Sequence, residues 1–185
     1  MFQQIRTSFA RKAIQAFLSN NRRSRTVHTL RTAASIGLLF DATDAKKAAE
    51  IAEWAKTIEK QGKKISLLGF VNEKVKADAP KRAFETFSVK ETRFNYAPTS
   101  AKAIDFAAQS FDLLLCFNPL HLPALDWVAA QSKAKMKAGL ASPFSNDYDI
   151  QLDIPEPQGI QYFAQQLNMY SDTFSAATLS TPKGS

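Results

Sequence analysis

The sequence has few of the residues that most often mark a chemically active protein. Its 185 residues include one cysteine, two histidines and six isolated glycines. Neither histidine stands at metal-ligand spacing from the cysteine or from the other histidine. The glycines form no G-x-x-x-x-G-K-[ST] or G-x-G-x-x-G phosphate-binding motif, and no G-x-S-x-G nucleophile elbow is present. We therefore expect no cofactor and no metal.

Long apolar runs are missing as well. No run approaches the roughly 18 residues that a membrane-spanning helix needs, so we expect no transmembrane segment. The single cysteine, Cys116, lies in the apolar run 113–117, which is typical of a small buried core residue. A chain without a disulfide framework fits a reducing compartment, and we expect a cytoplasmic protein.

Acidic residues are absent from the first 40 positions. This segment carries seven basic residues: Arg6, Arg11, Lys12, Arg22, Arg23, Arg25 and Arg31. The whole chain has 24 Lys and Arg against 17 Asp and Glu, so its net charge of +7 resides entirely in this segment. A charge split of this kind indicates a segment that binds a polyanion or an anionic surface.

The basic segment divides into a helix and an arm. Apolar residues at spacings of three and four predict a helix over residues 2–18, and the aperiodic stretch 22–31 predicts an extended arm. Arginine binds phosphate bidentately and stacks on bases, which favours RNA as the partner of the arm. Three alternatives stay open: a solvated linker, a mitochondrial presequence, and an interfacial membrane helix. The membrane helix would use Phe2, Ile5, Phe9 and Phe17.

The body opens with the pattern of a parallel sheet. The apolar run 34–40 predicts a strand buried on both faces, Asp44 can cap a helix over 45–61, Gly62 ends that helix, and 63–71 predicts the next strand. A strand, a helix and a strand in so short a stretch form a right-handed βαβ unit.

The remaining pattern extends this arrangement. It predicts helices over 100–109, over 123–132 and after Pro157, strands over 111–117, 135–140 and 150–154, and weaker strands near 84–89 and 93–96. The predicted fold is a single three-layer α/β domain, Rossmann-like or flavodoxin-like, with a mostly parallel sheet of four to six strands. We predict a basic helix and arm over 1–33, the domain over 34–172 and a flexible tail over 173–185.

Polar residues follow two of the predicted strands. Asp41, Thr43 and Asp44 end the first strand, and Asn118 and His121 follow the strand 111–117. If these strands are neighbours, the side chains converge where open α/β sheets bind ligands, and they could hold Mg²⁺ or perform acid–base chemistry. Helix capping explains the carboxylates equally well. A histidine in a loop between two prolines is typical of a residue without a chemical role.

A second basic cluster alternates along the chain. Lys133, Lys135 and Lys137 occupy every other position, which places them on one side of an extended segment. They predict a second RNA contact. The alternative is an edge strand protected from aggregation by lysines.

Several stretches together resemble a known family. These are 35–44, 62–72, 111–117 and the string SKAKMKAG at 132–139. They are similar to a small Bacteroidota family of unknown function. The resemblance implies a small α/β sandwich without established enzymatic activity. It also implies that members of this family occur as proteins of the large ribosomal subunit. The acidic residues of the last third would then face solvent or another protein; they are Asp147, Asp149, Asp153, Glu156 and Asp172.

The predicted function is ribosomal RNA binding by a ribosomal or ribosome-associated protein. Its partners would be ribosomal RNA and neighbouring ribosomal proteins, and we expect neither an enzyme nor a small-molecule substrate. Two alternatives stay open. One is a small-molecule or nucleotide-binding enzyme that uses Asp41 and Asp44, and the other is a peripheral membrane protein.

Overall fold

The computed structural model describes residues 2–73, 82–155 and 158–179, without the side chains of Phe2 and of residues 172–179. Strands and helices alternate along most of the chain, and one short 3-10 helix (Val89–Glu91) follows the third strand. The elements in order are α1 (Phe2–Asn20), β1 (Ser35–Asp41), α2 (Ala45–Glu59), β2 (Lys64–Val71), β3 (Glu85–Ser88), α3 (Ala101–Ala108), β4 (Leu113–Phe117), α4 (Pro123–Gln131), β5 (Met136–Leu140), β6 (Ile150–Leu152) and α5 (Ile160–Leu179).

The described strands form one six-stranded sheet in the order β3-β2-β1-β4-β5-β6. Every neighbouring pair is parallel. The order reverses between β1 and β4, which makes the fold doubly wound, with the Rossmann strand order rather than the flavodoxin order. The predicted three-layer α/β fold is confirmed.

Side chains alternate between two cores, one on each face of the sheet. From β1, Leu38 and Phe40 enter the core shared with α2 and α5, whereas Leu39 enters the core shared with α1, α3 and α4. This alternation is the period of two expected of a strand covered on both faces. Gly37 also belongs to the second face, where a Cβ atom would lie 2.7 Å from the Phe111 ring.

Helix α1 is part of the second layer. Its residues Ala10 and Ile14 are buried there, and the Phe17 ring lies 5.8 Å from that of Trp127 on α4. The apolar residues proposed for a membrane face are therefore divided, because Phe17 packs inward while Ile5 and Phe9 are exposed. The helix predicted within the separate segment 1–33 is docked on the domain.

Three further predictions concern a loop and the carboxyl-terminal part of the chain. The stretch 93–96 forms a turn instead of a strand, closed by an isolated bridge between Thr92 and Pro98. Helix α5 continues to Leu179 and so includes residues 173–179 of the predicted tail. Pro157, Glu156 and residues 180–185 lie outside the described residues. Among the described helices, none combines the length and the apolar character that a bilayer crossing requires.

Candidate nucleic-acid interface and strand-end cleft

The arm, residues 21–34, crosses the amino ends of the strands. The backbone N–H of Thr26 donates to the carbonyl oxygen of Lys135 (3.2 Å), immediately before β5. The His28 ring lies 3.9 Å from Asp112, the residue before β4. The ammonium of Lys63, the residue before β2, donates to the carbonyl oxygen of Arg31 (2.8 Å). The arm thus connects the starts of strands that are distant in sequence.

The arm and these strand starts form a basic surface, which we call the amino-end face. Nine basic side chains belong to it: Arg22, Arg23, Arg25, Arg31, Lys60, Lys63, Lys64, Lys133 and Lys135. The carboxylates at this end within the described residues are Glu59, Asp112, Asp147 and Asp149. Among the described side chains of this face, the basic ones exceed the carboxylates by five.

A buried ionic network anchors the arm. The Arg23 guanidinium donates to Asp147 (3.0 Å) and to Asp149, and its side chain is only 11% exposed. Asp147 also accepts from the ammonium of Lys137 (2.8 Å), which is fully buried and donates to the carbonyl oxygen of Ala129 (2.7 Å). Desolvation lowers the pKa of Lys137, and the neighbouring Asp147 opposes this shift.

This network corrects two expectations. Lys137 is not available to RNA, because β5 lies between β4 and β6 and its lysine points into the interior. For the same reason it does not protect an edge strand. Asp147 and Asp149, expected to face solvent or another protein, bind the arm through Arg23.

Two arginines of α1 also bind within the chain. Arg6 donates to the carbonyl oxygens of Phe94 (2.6 Å) and Arg93 (2.9 Å). Arg11 pairs with Asp126, donates to the carbonyl oxygen of His121, and stacks 3.7 Å above the centre of the Phe144 ring. These side chains attach α1 to the domain.

Six of the predicted RNA-binding residues remain accessible. Arg25 is 62% exposed although it lies 3.1 Å from Asp149, and Lys135 is 46% exposed while it pairs with Asp112. The others are exposed as well: Lys12, Arg22, Arg31 and Lys133.

Asp112 organises the middle of the amino-end face, and the sequence analysis missed its role. One carboxylate oxygen accepts the N–H groups of Ala34 and Ser35 (3.0 Å each), and the other accepts from the Lys135 ammonium (2.8 Å). The hydrogen bond from Lys135 is the largest cause that holds the pKa of Asp112 well below its usual range. The sequence feature that could have indicated this role is an acidic residue directly before a buried strand.

The opposite end of the sheet holds a cleft of about 500 Å³. It lies beyond the carboxyl ends of β1 and β4, where the strand order reverses and open α/β sheets bind ligands. Asp41, Thr43 and Asp44 line it, as predicted. The rest of its lining is mixed. The apolar side chains are Ile51, Phe117, Pro119, Leu120 and Ile160, and the polar or charged ones are Lys47, Glu50, Asn72, Glu73 and Gln158.

Asn118 and His121 do not join this cleft. Asn118 is buried and donates to Asp126 (2.9 Å) at the start of α4, where it also pairs with the backbone of Leu122. His121 takes a left-handed backbone conformation (φ 49°), and its ring lies against Phe144. The predicted convergence is therefore wrong for these two residues. Within the described ranges no three His, Cys, Asp or Glu side chains are placed to hold a metal ion.

The two aspartates of the cleft have structural partners. Asp41 accepts from the N–H (2.9 Å) and the hydroxyl (2.6 Å) of Thr43. Asp44 accepts the N–H groups of Lys46 and Lys47 at the start of α2, and the bond from Lys47 is the largest cause that lowers its pKa. The carboxylate of Asp44 thus occupies the helix N-terminus that would otherwise bind a phosphate. The cleft fits a neutral or cationic ligand better than a nucleotide.

Fold and surface together define a doubly wound α/β protein with a basic amino-end face and an apolar, partly acidic cleft at the opposite end. The sequence profile of DUF6913, a family of unknown function, matches residues 6–172. The chain belongs to this family. The expected membership in a family of unknown function is confirmed. No curated protein and no solved structure matches the chain.

Proposed function

We propose that this protein binds RNA through the amino-end face, as a non-enzymatic component or companion of the large ribosomal subunit. Ribosomal RNA and neighbouring ribosomal proteins would be its partners. The observation that carries the proposal is the excess of five basic over acidic side chains among the described residues of one face, assembled from the arm and from the starts of β2 and β5.

The proposed binding rests on phosphate neutralisation. Each phosphate that a cation neutralises releases counterions, so the binding constant falls as the salt concentration rises. For each phosphate contact, a tenfold increase in salt lowers the logarithm of the binding constant by about 0.7–0.9. Arg22 and Lys133 are exposed and have no ion-pair partner among the described residues, and Arg25 is mostly exposed. Arg22 and Lys133 can reach RNA without breaking an ion pair of the network that anchors the arm, and Arg25 would release only its own contact with Asp149.

We expect the triple variant Arg22→Gln, Arg25→Gln, Lys133→Gln to bind ribosomal RNA with a weaker dependence on salt. The slope of the logarithm of the binding constant against the logarithm of the salt concentration should become smaller by about 2–3. The measurement is filter binding from low to physiological salt, paired with sucrose-gradient sedimentation of lysate. The matched control replaces Lys46, Lys47 and Lys102, at the starts of α2 and α3, with glutamine and removes the same charge outside the face. Two results together would disprove the proposal: the same salt dependence of RNA binding for both variants, and a native protein that stays at the top of the sucrose gradient at every salt concentration.

The cleft supports a second candidate function, the binding of a small neutral ligand. The supporting observation is its position at the strand-order reversal, combined with an apolar lining and carboxylates able to accept hydroxyl hydrogen bonds. A nucleoside without a phosphate has this chemistry.

For this candidate we expect adenosine to raise the melting temperature and adenosine monophosphate to have no effect, since Asp44 occupies the helix N-terminus. The variant Leu120→Arg, at an exposed position of the cleft, should abolish the shift. Differential scanning fluorimetry measures both. An equal response to the two ligands, or a response that survives Leu120→Arg, would contradict binding at this cleft.

A further inference from the structure

Two phenylalanines lie exposed side by side on the surface near the start of α1. Phe9 is 58% exposed and Phe94 is 50% exposed, and their ring centres are 6.0 Å apart in an edge-to-face arrangement. Ile5, one turn earlier on α1, is 47% exposed. We call Ile5, Phe9 and Phe94 the aromatic patch. An ordinary solvated surface does not need two adjacent aromatic rings.

The loop that presents Phe94 is held by α1. Arg6 donates to the carbonyl oxygens of Phe94 (2.6 Å) and Arg93 (2.9 Å) and to the hydroxyl of Thr92 (3.0 Å). Its guanidinium also stacks 3.9 Å above the centre of the Tyr96 ring. One side chain thus fixes three consecutive residues of the loop, and Phe94 is oriented before any partner arrives.

The same loop contains a strained residue. Tyr96 has φ 60°, a left-handed conformation that costs a non-glycine residue free energy. Surrounding bonds hold it there: Arg93 donates its N–H to the carbonyl oxygen of Ala97 (2.8 Å), and the indole N–H of Trp127 donates to the carbonyl oxygen of Asn95 (2.8 Å). Strain that the structure maintains in this way concentrates at functional sites. Here the strained residue lies two positions after the exposed Phe94.

Two cations accompany the aromatic patch. Lys12 and Arg93 are exposed and have no ion-pair partner within the described residues. Neither helix α1 nor the loop 92–97 contains Asp or Glu. Exposed aromatic rings beside unpaired cations are the combination that binds single-stranded nucleic acid, in which bases stack on rings and phosphates meet the cations. An apolar protein partner would not need the cations.

We propose that the aromatic patch binds unpaired nucleobases of single-stranded RNA by stacking on Phe9 and Phe94. This inference rests on the proposed RNA binding, but it concerns residues outside the amino-end face. It assigns the two surfaces different tasks. The amino-end face neutralises phosphates of any sequence, and the aromatic patch selects RNA whose bases are free to stack.

The test measures fluorescence anisotropy of a labelled ten-nucleotide single-stranded RNA with the full chain. We expect Phe9→Ala and Phe94→Ala each to weaken binding by about 5- to 150-fold, the effect of losing one stacked base, with an unchanged salt dependence. Phe94→Leu keeps an apolar side chain and should still lose most of this affinity, because leucine has no ring to stack on. Tyr170→Ala removes an aromatic residue that is 52% exposed on α5 and should change nothing.

The outcomes separate this inference from the proposed function. If the Phe variants bind the oligonucleotide like the native protein while the triple charge variant is weakened, the stacking inference alone is overturned. If neither set weakens binding, the proposed function fails too. Full affinity of Phe94→Leu for the oligonucleotide would overturn stacking on this ring. Phe variants that bind the oligonucleotide normally but no longer sediment with ribosomes would show that the patch contacts a protein. Thermal melts of every variant establish that it is folded.

Discussion

Replacing Asp147 with alanine is expected to lower the free energy of unfolding by about 3–5 kcal/mol, the usual cost of removing one partner of a buried ion pair. Asp147 is the only carboxylate hydrogen-bonded to the Lys137 ammonium among the described residues, and the Lys137 side chain has no exposure to water. The variant would leave a buried cation with the carbonyl oxygen of Ala129 as its acceptor. Urea denaturation followed by circular dichroism measures the loss.

The comparison variants make this result specific. Asp153→Ala removes an exposed carboxylate a few residues further along the chain and should change stability by about 0.5 kcal/mol or less. The double variant Lys137→Met, Asp147→Ala removes the cation too and should recover most of the lost stability, because an apolar side chain of similar length fills the same space. A double variant as unstable as Asp147→Ala alone would show that packing, not charge, is responsible.

The network also predicts a pH dependence for Asp147→Ala. Burial already lowers the pKa of Lys137, and removing Asp147 takes away the largest influence that raises it. The unfolded chain then binds more protons than the folded chain at pH values between the folded pKa and the ordinary lysine value. Stability therefore rises with pH across that window. The difference between Asp147→Ala and the native protein should accordingly become smaller in alkaline solution.

The elements that sequence patterns predicted well are those whose signal is local. The run 34–40 reads as a buried strand because both of its faces are covered, and Asp44 and Gly62 delimit α2 by capping and by a left-handed φ of 81°. The central strand β4 was equally clear. Together they were sufficient to predict a parallel, three-layer α/β fold.

Pairings over long sequence distances could not be predicted. Arg23 and Asp147 are 124 residues apart, and nothing near either residue indicates the other. An alternating lysine pattern shows which residues share a side of a strand, but not whether that side is covered. Lys135 and Lys137 follow one pattern, yet one is 46% exposed and the other is fully buried.

The position of the candidate cleft was predicted correctly, but not all of the residues that line it were. Neighbouring β1 and β4 do bring Asp41, Thr43 and Asp44 to the strand-order reversal. Asn118 follows β4 directly, but it turns toward the start of α4, where it pairs with Leu122 and Asp126. Its hydrogen bonds at the start of α4 determine the orientation of this side chain, and no local pattern around Asn118 indicates them.

Trp127 connects the core to the aromatic patch, and its removal should affect both stability and RNA binding. The side chain is 6% exposed, its ring lies 5.8 Å from that of Phe17, and its N–H holds Asn95 in the loop beside Phe94. We expect Trp127→Ala to lower the free energy of unfolding by about 3–5 kcal/mol. Where the variant is still folded, we expect weaker binding of single-stranded RNA, because α1 and the loop lose their common support.

Trp54 provides the matched control on the other face of the sheet. It is the other of the two tryptophans in the chain, belongs to α2 and is 8% exposed in the core on that face. Trp54→Ala should cost a similar amount of stability and leave the affinity for single-stranded RNA unchanged. Trp127→Phe keeps a ring in place and loses only the bond to Asn95, at a cost of about 1 kcal/mol. Equal loss of RNA affinity in the Trp54 and Trp127 variants would mean that global stability, not the support of α1 and the loop, controls the patch.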